Sequence, residues 1–411
     1  MREGESESAG GTWTGSNPRP EVATMPKIYR RRRTGRWIVL GTLIAVVAAV
    51  AAGASVGWFS ALPLSGRCSP GTTILGEGSS FVLPLLSDWQ PPYQGSSGNL
   101  VNFDPAGSAA GISALQSRVV DFAATDEPLD RSTIQGFPSP VLSLPVVGGA
   151  VAIVYNLPGA TRPVELTGND LAEIYLGGIT HWNDPRIASI NSGLTLPAEA
   201  IVTVHRADAA GTTFVLTDYL AQDDSNWSSG PGRGLQIAWP ALPLSQARLG
   251  NTGLARYVQS TPYSIGYTDL ADALALSGLA VAMMGNPSGA FVAPTLASTG
   301  RAIDDQSARA SIPPSTGDWS NISMVNAPGR GDYPVAALVY LLTNAEMDRG
   351  FAPSLLKARA VVDWLNWTVS QGQSYAAGLG FVALPPALLQ VDRAGIASAT
   401  YQGVPVGACG A

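Results

Sequence analysis

Apolar residues along most of the chain fall into short runs, divided by glycine, proline and small polar residues. Gly71 to Leu75 predicts a short strand, and Leu100-Val101-Asn102-Phe103 a second. Between them, Phe81 to Tyr93 places Val82, Leu85, Leu86 and Trp89 at helical spacing, with Pro84 near the start where a helix tolerates it. A helix over Ile112 to Ser117 and a third strand over Val119 to Ala124 follow. Pro140 to Tyr155 is apolar and β-branched, which reads as a buried strand pair or one long bent strand. Thr167-Gly168-Asn169-Asp170 carries a cap signal for a helix through Leu171–Tyr175, ended by Gly177-Gly178. His181-Trp182-Asn183-Asp184-Pro185 begins a shorter helix. Ala200 to His205 reads as a strand and Phe214 to Leu220 as a helix. Tyr257 to Tyr267, Leu279 to Met284 and Val335 to Leu342 read as strands. Ala290 to Asp304, Ser354 to Ser370 and Pro385 to Ala397 read as helices. Strands alternating with helices define an α/β class, with mostly parallel sheets expected.

The first 66 residues break this pattern. Residues 1–36 are Gly/Ser/Glu/Pro-rich and then basic, which predicts a disordered cytoplasmic tail. Residues 37–60 hold no charge, and Ile38 to Trp58 is almost wholly aliphatic, long enough for one transmembrane helix. The basic cluster before it predicts the N-terminus inside and the rest extracytoplasmic. The alternative is a cleaved signal peptide, with Ala52-Gly53-Ala54 as its small-residue site.

Charge sharpens this division. Of 24 basic and 30 acidic residues, 8 and 4 lie before Arg67, so the remaining 16 and 26 give the body a net −10. Such a body lacks the basic face that nucleic acid requires. The two cysteines, Cys68 and Cys409, bracket the exported part, and a disulfide between them is expected, with two free thiols as the alternative. The two histidines, His181 and His205, and two cysteines stand at unrelated spacings, so no metal and no cofactor is implied.

Three small-residue turns share one logic: Gly78-Ser79-Ser80-Phe81, Gly107-Ser108-Ala109-Ala110-Gly111 and Gly211-Thr212-Thr213. Each joins a predicted strand to a helix and offers backbone N–H groups plus hydroxyls, a setting that suits an anion. None carries the Gly-Lys-Ser/Thr of a nucleotide loop. Arg206 adds a planar cation, and Asp208 stands two residues on, where it can hold it. His205 adjoins the third turn, but strand alternation points it away from Arg206. No nucleophile–base pair stands out, so no enzyme activity is expected.

Over Gly76 to Tyr267 the chain resembles the phosphate-binding proteins of phosphate ABC importers, in the periplasmic-binding-protein superfamily. The resemblance is carried by Gly78-Ser79-Ser80-Phe81, Gly107-Ser108, Val120 to Leu129, Leu144 to Gly149, Leu171 to Gly177, Trp182-Asn183-Asp184, Arg206-Ala207-Asp208 with Gly211-Thr212, and Ile265-Gly266-Tyr267.

That resemblance implies an α/β, two-lobed periplasmic-binding-protein fold with a hinge between lobes. Lobe 1 would hold residues 67–151 with 332–411, and lobe 2 residues 152–331. It implies inorganic phosphate as ligand, held by Ser80, Phe81, Ser108, Asp126, Arg206, Gly211 and Thr212, with Asp208 supporting Arg206. Asp126 would accept a proton from phosphate and so reject sulfate, which has none to offer. The implied partner is an ABC permease in the membrane, served by a monomer. A membrane-anchored phosphate sensor, a surface protein, a binder of another oxyanion and a phosphatase are the alternatives. The family usually has Ser where Ala210 stands, so one hydroxyl donor is missing, with Thr213 or a water as substitute.

Overall fold

In the computed structural model of this protein, the structure describes residues 71–407. The tail, the apolar stretch at 37–60, Cys68 and Cys409 therefore lie outside the described residues. Among the described residues, no helix is long and apolar enough to cross a membrane.

Among the described residues, fourteen strands run in chain order: β1 (Thr73–Gly78), β2 (Leu100–Asp104), β3 (Phe122–Thr125), β4 (Val141–Tyr155), β5 (Glu165–Leu166), β6 (Val202–Arg206), β7 (Gln246–Arg248), β8 (Ser264–Asp269), β9 (Ala280–Val281), β10 (Met283–Gly285), β11 (Phe291–Val292), β12 (Ala336–Asn344), β13 (Thr400–Tyr401) and β14 (Val404–Pro405). The main sheet has the order β2-β1-β3-β12-β4-β8-β6-β7, with β9 also on β4. It is mixed rather than mostly parallel. β1 is parallel to β2 and β3, and β6 is parallel to β7 and β8. The central strands β12 and β4 run antiparallel to their neighbours.

β4 is one continuous strand of 15 residues, and it settles the reading of Pro140–Tyr155. Its first part, Val141–Ala150, pairs with β12, and its last part, Val151–Tyr155, pairs with β8. One strand thus belongs to both halves of the sheet and makes the fold two-lobed. Every residue of β4 and of β12 is buried, which explains their continuous apolar sequence. Fully burying one such aliphatic side chain contributes about 1.5–3 kcal/mol.

Local signals explain most of the helices. Helix Gly168–Leu176 begins with a capping box: the Thr167 hydroxyl accepts from the Asp170 N–H at 3.0 Å, and the Asp170 carboxylate accepts from the Thr167 N–H at 3.1 Å. Gly177, with φ of 83°, ends it in the left-handed conformation. Asp184 caps the short helix Pro185–Ile190. The predicted strand from Tyr257 to Tyr267 is corrected: helix Asn251–Ser260 runs first, a turn follows at Thr261–Tyr263, and only then does β8 begin. The helix expected at Ala290–Asp304 starts later and runs over Leu296–Arg309, after a cap at Thr295. Its Ala302 and Ile303 join Ile112, Leu115, Ala123 and Leu342 in one buried cluster, as do Trp319, Ile322 and Met324.

Candidate anion-binding site

The three small-residue turns lie at the C-terminal ends of β1, β2 and β6, where each strand passes into a helical turn. In an open α/β sheet this is the edge where ligands bind. After β1, Ser79 caps the helical turn Ser80–Val82, its hydroxyl accepting from the Phe81 N–H at 3.1 Å. The same hydroxyl donates to Asp126 Oδ2 at 2.7 Å. After β2, Gly107 (φ 104°) donates its N–H to the Gly78 carbonyl at 2.9 Å and precedes helix Ser108–Gln116. After β6, Ala210 precedes helix Gly211–Asp223 and makes no side-chain cap, so the hydroxyl usual there has no replacement at that position.

The turns of the two lobes touch. A side-chain carbon on Gly211 would stand 2.2 Å from Asp126 Oδ2, so only glycine lets Asp126 lie against that helix start. A side-chain carbon on Gly107 would stand 2.9 Å from the Ala209 carbonyl oxygen and 3.2 Å from Asp208 Oδ2.

Arg206 is buried, and its guanidinium is held on two sides. Nε–H donates to Asp208 Oδ1 at 2.8 Å, and Nη2 forms an ion pair with Asp208 Oδ2. Nη1 donates to Thr212 Oγ1 at 3.0 Å and to Asn251 Oδ1. A guanidinium has five N–H groups, so one hydrogen on Nη2 remains for a further acceptor. Burial works against the charge on Asp208, yet the hydrogen bonds and charge of Arg206 outweigh it and hold that carboxyl below its usual value.

On the turns after β1 and β2 and at the end of β3, three buried polar atoms have no hydrogen-bond partner among the described residues: Ser80 Oγ, Ser108 Oγ and Asp126 Oδ1. Two are potential donors and one belongs to a carboxyl group, an arrangement that costs free energy unless something engages them. Burial pushes the Asp126 carboxyl up to about 7, although the Ser79 hydrogen bond and the Arg206 charge pull it down. Asp126 is thus poised to exchange a proton near neutral pH.

Each site residue expected from the sequence is located on these turns, at the end of β3 or, for Arg206 and Asp208, at and just after the end of β6. Thr212 contributes differently from the expectation. Its hydroxyl donates to Asn251 Oδ1 at 3.0 Å while accepting from Arg206, so its backbone N–H is what it presents at the helix start. Thr213 does not replace the missing hydroxyl, because its own lies 2.6 Å from the Tyr267 hydroxyl, which also accepts from the Arg206 N–H at 3.0 Å. Ser79, Asn251 and Tyr267 are the residues whose roles sequence reasoning missed. His205 stacks on Trp239, with centroids 4.8 Å apart, and burial lowers its pKa.

Comparison with known proteins now bears on this geometry. The family model of a PBP superfamily domain matches residues 65–371. The phosphate-binding protein PstS of Xylella fastidiosa is 34% identical over 345 residues, covering 80% of this chain and 86% of its own. That of Methanocaldococcus jannaschii is 34% identical over 361 residues, covering 85% and 91%. The chain belongs to the PstS family of phosphate-binding proteins. Solved structures agree on the fold. A high-affinity periplasmic phosphate-binding protein bound with phosphate superposes with a TM-score of 0.62 at 20% identity, covering 79% of this chain and 93% of its own. A phosphate-binding protein from Stenotrophomonas maltophilia gives 0.58 at 18%, covering 79% and 94%. The relatives so described are phosphate-binding proteins.

Proposed function

We propose that this chain captures inorganic phosphate between its lobes and delivers it to an ABC permease. The observation that carries the reading is the trio of buried, unpartnered atoms, Ser80 Oγ, Ser108 Oγ and Asp126 Oδ1, on turns that touch the turn following Arg206. The two hydroxyls, the N–H groups of Gly211 and Thr212, and the remaining Nη2 hydrogen of Arg206 donate to phosphate oxygens, while the Phe81 N–H is already held by the Ser79 hydroxyl. Asp126 Oδ1 accepts the proton that phosphate carries. Sulfate has no such proton at neutral pH, so it meets a bare carboxylate and is rejected. The PstS relatives, which are phosphate-binding proteins, support phosphate as the ligand.

In this reading β4 is one strand of the hinge. The first lobe comprises residues up to about 151 with those from 332 on, and the second the residues from 152. The segment Leu296–Met324 packs with the first lobe's cluster, which supports moving the second boundary back to about residue 295. The apolar stretch at 37–60 anchors the chain so that the lobes face the extracytoplasmic side, with a Cys68–Cys409 disulfide tying the C-terminus back to the start of the exported part.

Calorimetry on the purified chain with phosphate and sulfate tests the reading. Wild type is expected to bind phosphate and not sulfate. Asp126→Asn removes the charge that rejects sulfate and narrows the preference by roughly 10- to 100-fold, since a hydrogen bond to a charged group contributes about 1.5–3 kcal/mol. Lowering the pH well below about 7 protonates Asp126 and narrows the preference of the wild type in the same direction. Equal binding of both anions by the wild type, or of neither, overturns the proposal.

A further inference from the structure

We infer that Asn251 is a positioning residue for Arg206: its side-chain carbonyl, clamped in one orientation by Asp269, sets how the guanidinium meets the anion. The inference rests on the phosphate reading above and adds a residue from a different segment of the chain. Asn251 opens helix Asn251–Ser260 and is almost wholly buried. Its Oδ1 accepts from Arg206 Nη1 and, at 3.0 Å, from the Thr212 hydroxyl. Its Nδ2 donates to Asp269 Oδ2 at 2.8 Å. An amide placed between two donors and a carboxyl oxygen has only one satisfactory orientation, so its oxygen must face Arg206.

Asp269 is itself fixed. It is fully buried at the end of β8, and its Oδ1 accepts from the Asp272 N–H at 2.8 Å. Gly250, the neighbour of Asn251, donates its N–H to Asp208 Oδ1 at 3.2 Å. One dipeptide therefore grips both halves of the Arg206–Asp208 pair, the carboxylate through its backbone and the guanidinium through a side chain. With the Thr212 hydroxyl accepting the other hydrogen of Nη1, both are occupied and the free Nη2 hydrogen is left in a fixed direction. An anion then meets a donor that needs no reordering, which strengthens binding.

The test is a double-mutant cycle read by phosphate calorimetry, with melting of the phosphate-free protein followed alongside. Asn251→Leu keeps the volume and removes the acceptor. It is expected to bind phosphate roughly tenfold more weakly, because Nη1 loses a buried partner. Thr212→Val alone is expected to lose a few-fold. The double variant is expected to lose less than the product of the two, since both residues hold one nitrogen. A purely structural Asn251 would give losses that multiply. Should Asn251→Leu fail to melt cooperatively, Asn251→Ser carries the same test. The inference falls if the folded variant binds phosphate within about twofold of the wild type, or more tightly, or if the losses multiply. It also falls if neither variant folds, for Asn251 is then a core residue alone. Failure of the wild type to bind phosphate would instead overturn the functional reading beneath it.

Discussion

Gly211 shows how closely the site is built. As the first residue of a helix it could be replaced by alanine with a gain in helix propensity of up to about 1 kcal/mol. Yet the added carbon would lie within 2.6 Å of Asp126 Oδ2, Cγ and Cβ alike, so the whole Asp126 side chain would have to move. Such a shift breaks the hydrogen bond from Ser79 as well. Gly211→Ala is therefore expected to melt within a few degrees of the wild type while phosphate binding weakens at least roughly tenfold. Calorimetry and a thermal melt on the same preparation check both halves, and unchanged affinity would show that Asp126 is free to swing aside. The residues expected from the sequence as donors and carboxylate lie on turns that the fold brings into contact. The sequence did not reveal which hydrogens were already in use. The Thr212 hydroxyl is taken by Asn251, 39 residues away, and Asp126 is held by Ser79, 47 residues away. Partners so distant leave no local pattern to read.

Most helices and strands were legible because cap residues, glycines and apolar periods act locally. Strand direction was not, because it depends on pairing between distant segments. β4 and β12 are almost wholly apolar, as buried parallel strands are, although they pair antiparallel. Tyr257 to Tyr267 misled through its β-forming residues, while Leu254, Ala255 and Val258 already formed the buried stripe of a helix. Helix Pro386–Ala397 carries a conflict of its own. Leu388, Asp392 and Ile396 stand four residues apart on its buried side, and neither Asp392 oxygen has a partner among the described residues. Burial holds this carboxyl well above the usual carboxylate range, against the charge of Arg393. The folded state binds the proton more tightly than the unfolded chain, so stability is complete at low pH and declines as pH rises toward the raised value. Asp392→Asn is expected to raise the melting temperature near pH 8 and to leave it nearly unchanged near pH 4. Melts across that range decide it, and a gain of equal size at both ends would mean that charge is not the cause.

An acidic body that binds an anion must rely on local donors, and in the reading proposed above those donors come from both lobes. The lobes meet where Gly107, after β2, faces Ala209 and Asp208, after β6. Two effects of replacing Gly107 can be separated. Its φ of 104° is strained for any side chain, which lowers the stability of the turn with or without ligand. Its clash with the Ala209 carbonyl and Asp208 arises only when the lobes are together, so that part is felt through ligand binding. A ligand at 100 times its Kd stabilises the bound form by about 2.7 kcal/mol, and a tenfold weaker Kd at the same concentration leaves about 1.4 kcal/mol. Gly107→Ala is thus expected to melt lower than the wild type without phosphate and, in addition, to gain only about half as much from phosphate. Paired melts with and without phosphate measure the two effects independently. If the baseline falls while the gain from phosphate stays whole, Gly107 serves the turn alone and the lobes close without regard to it.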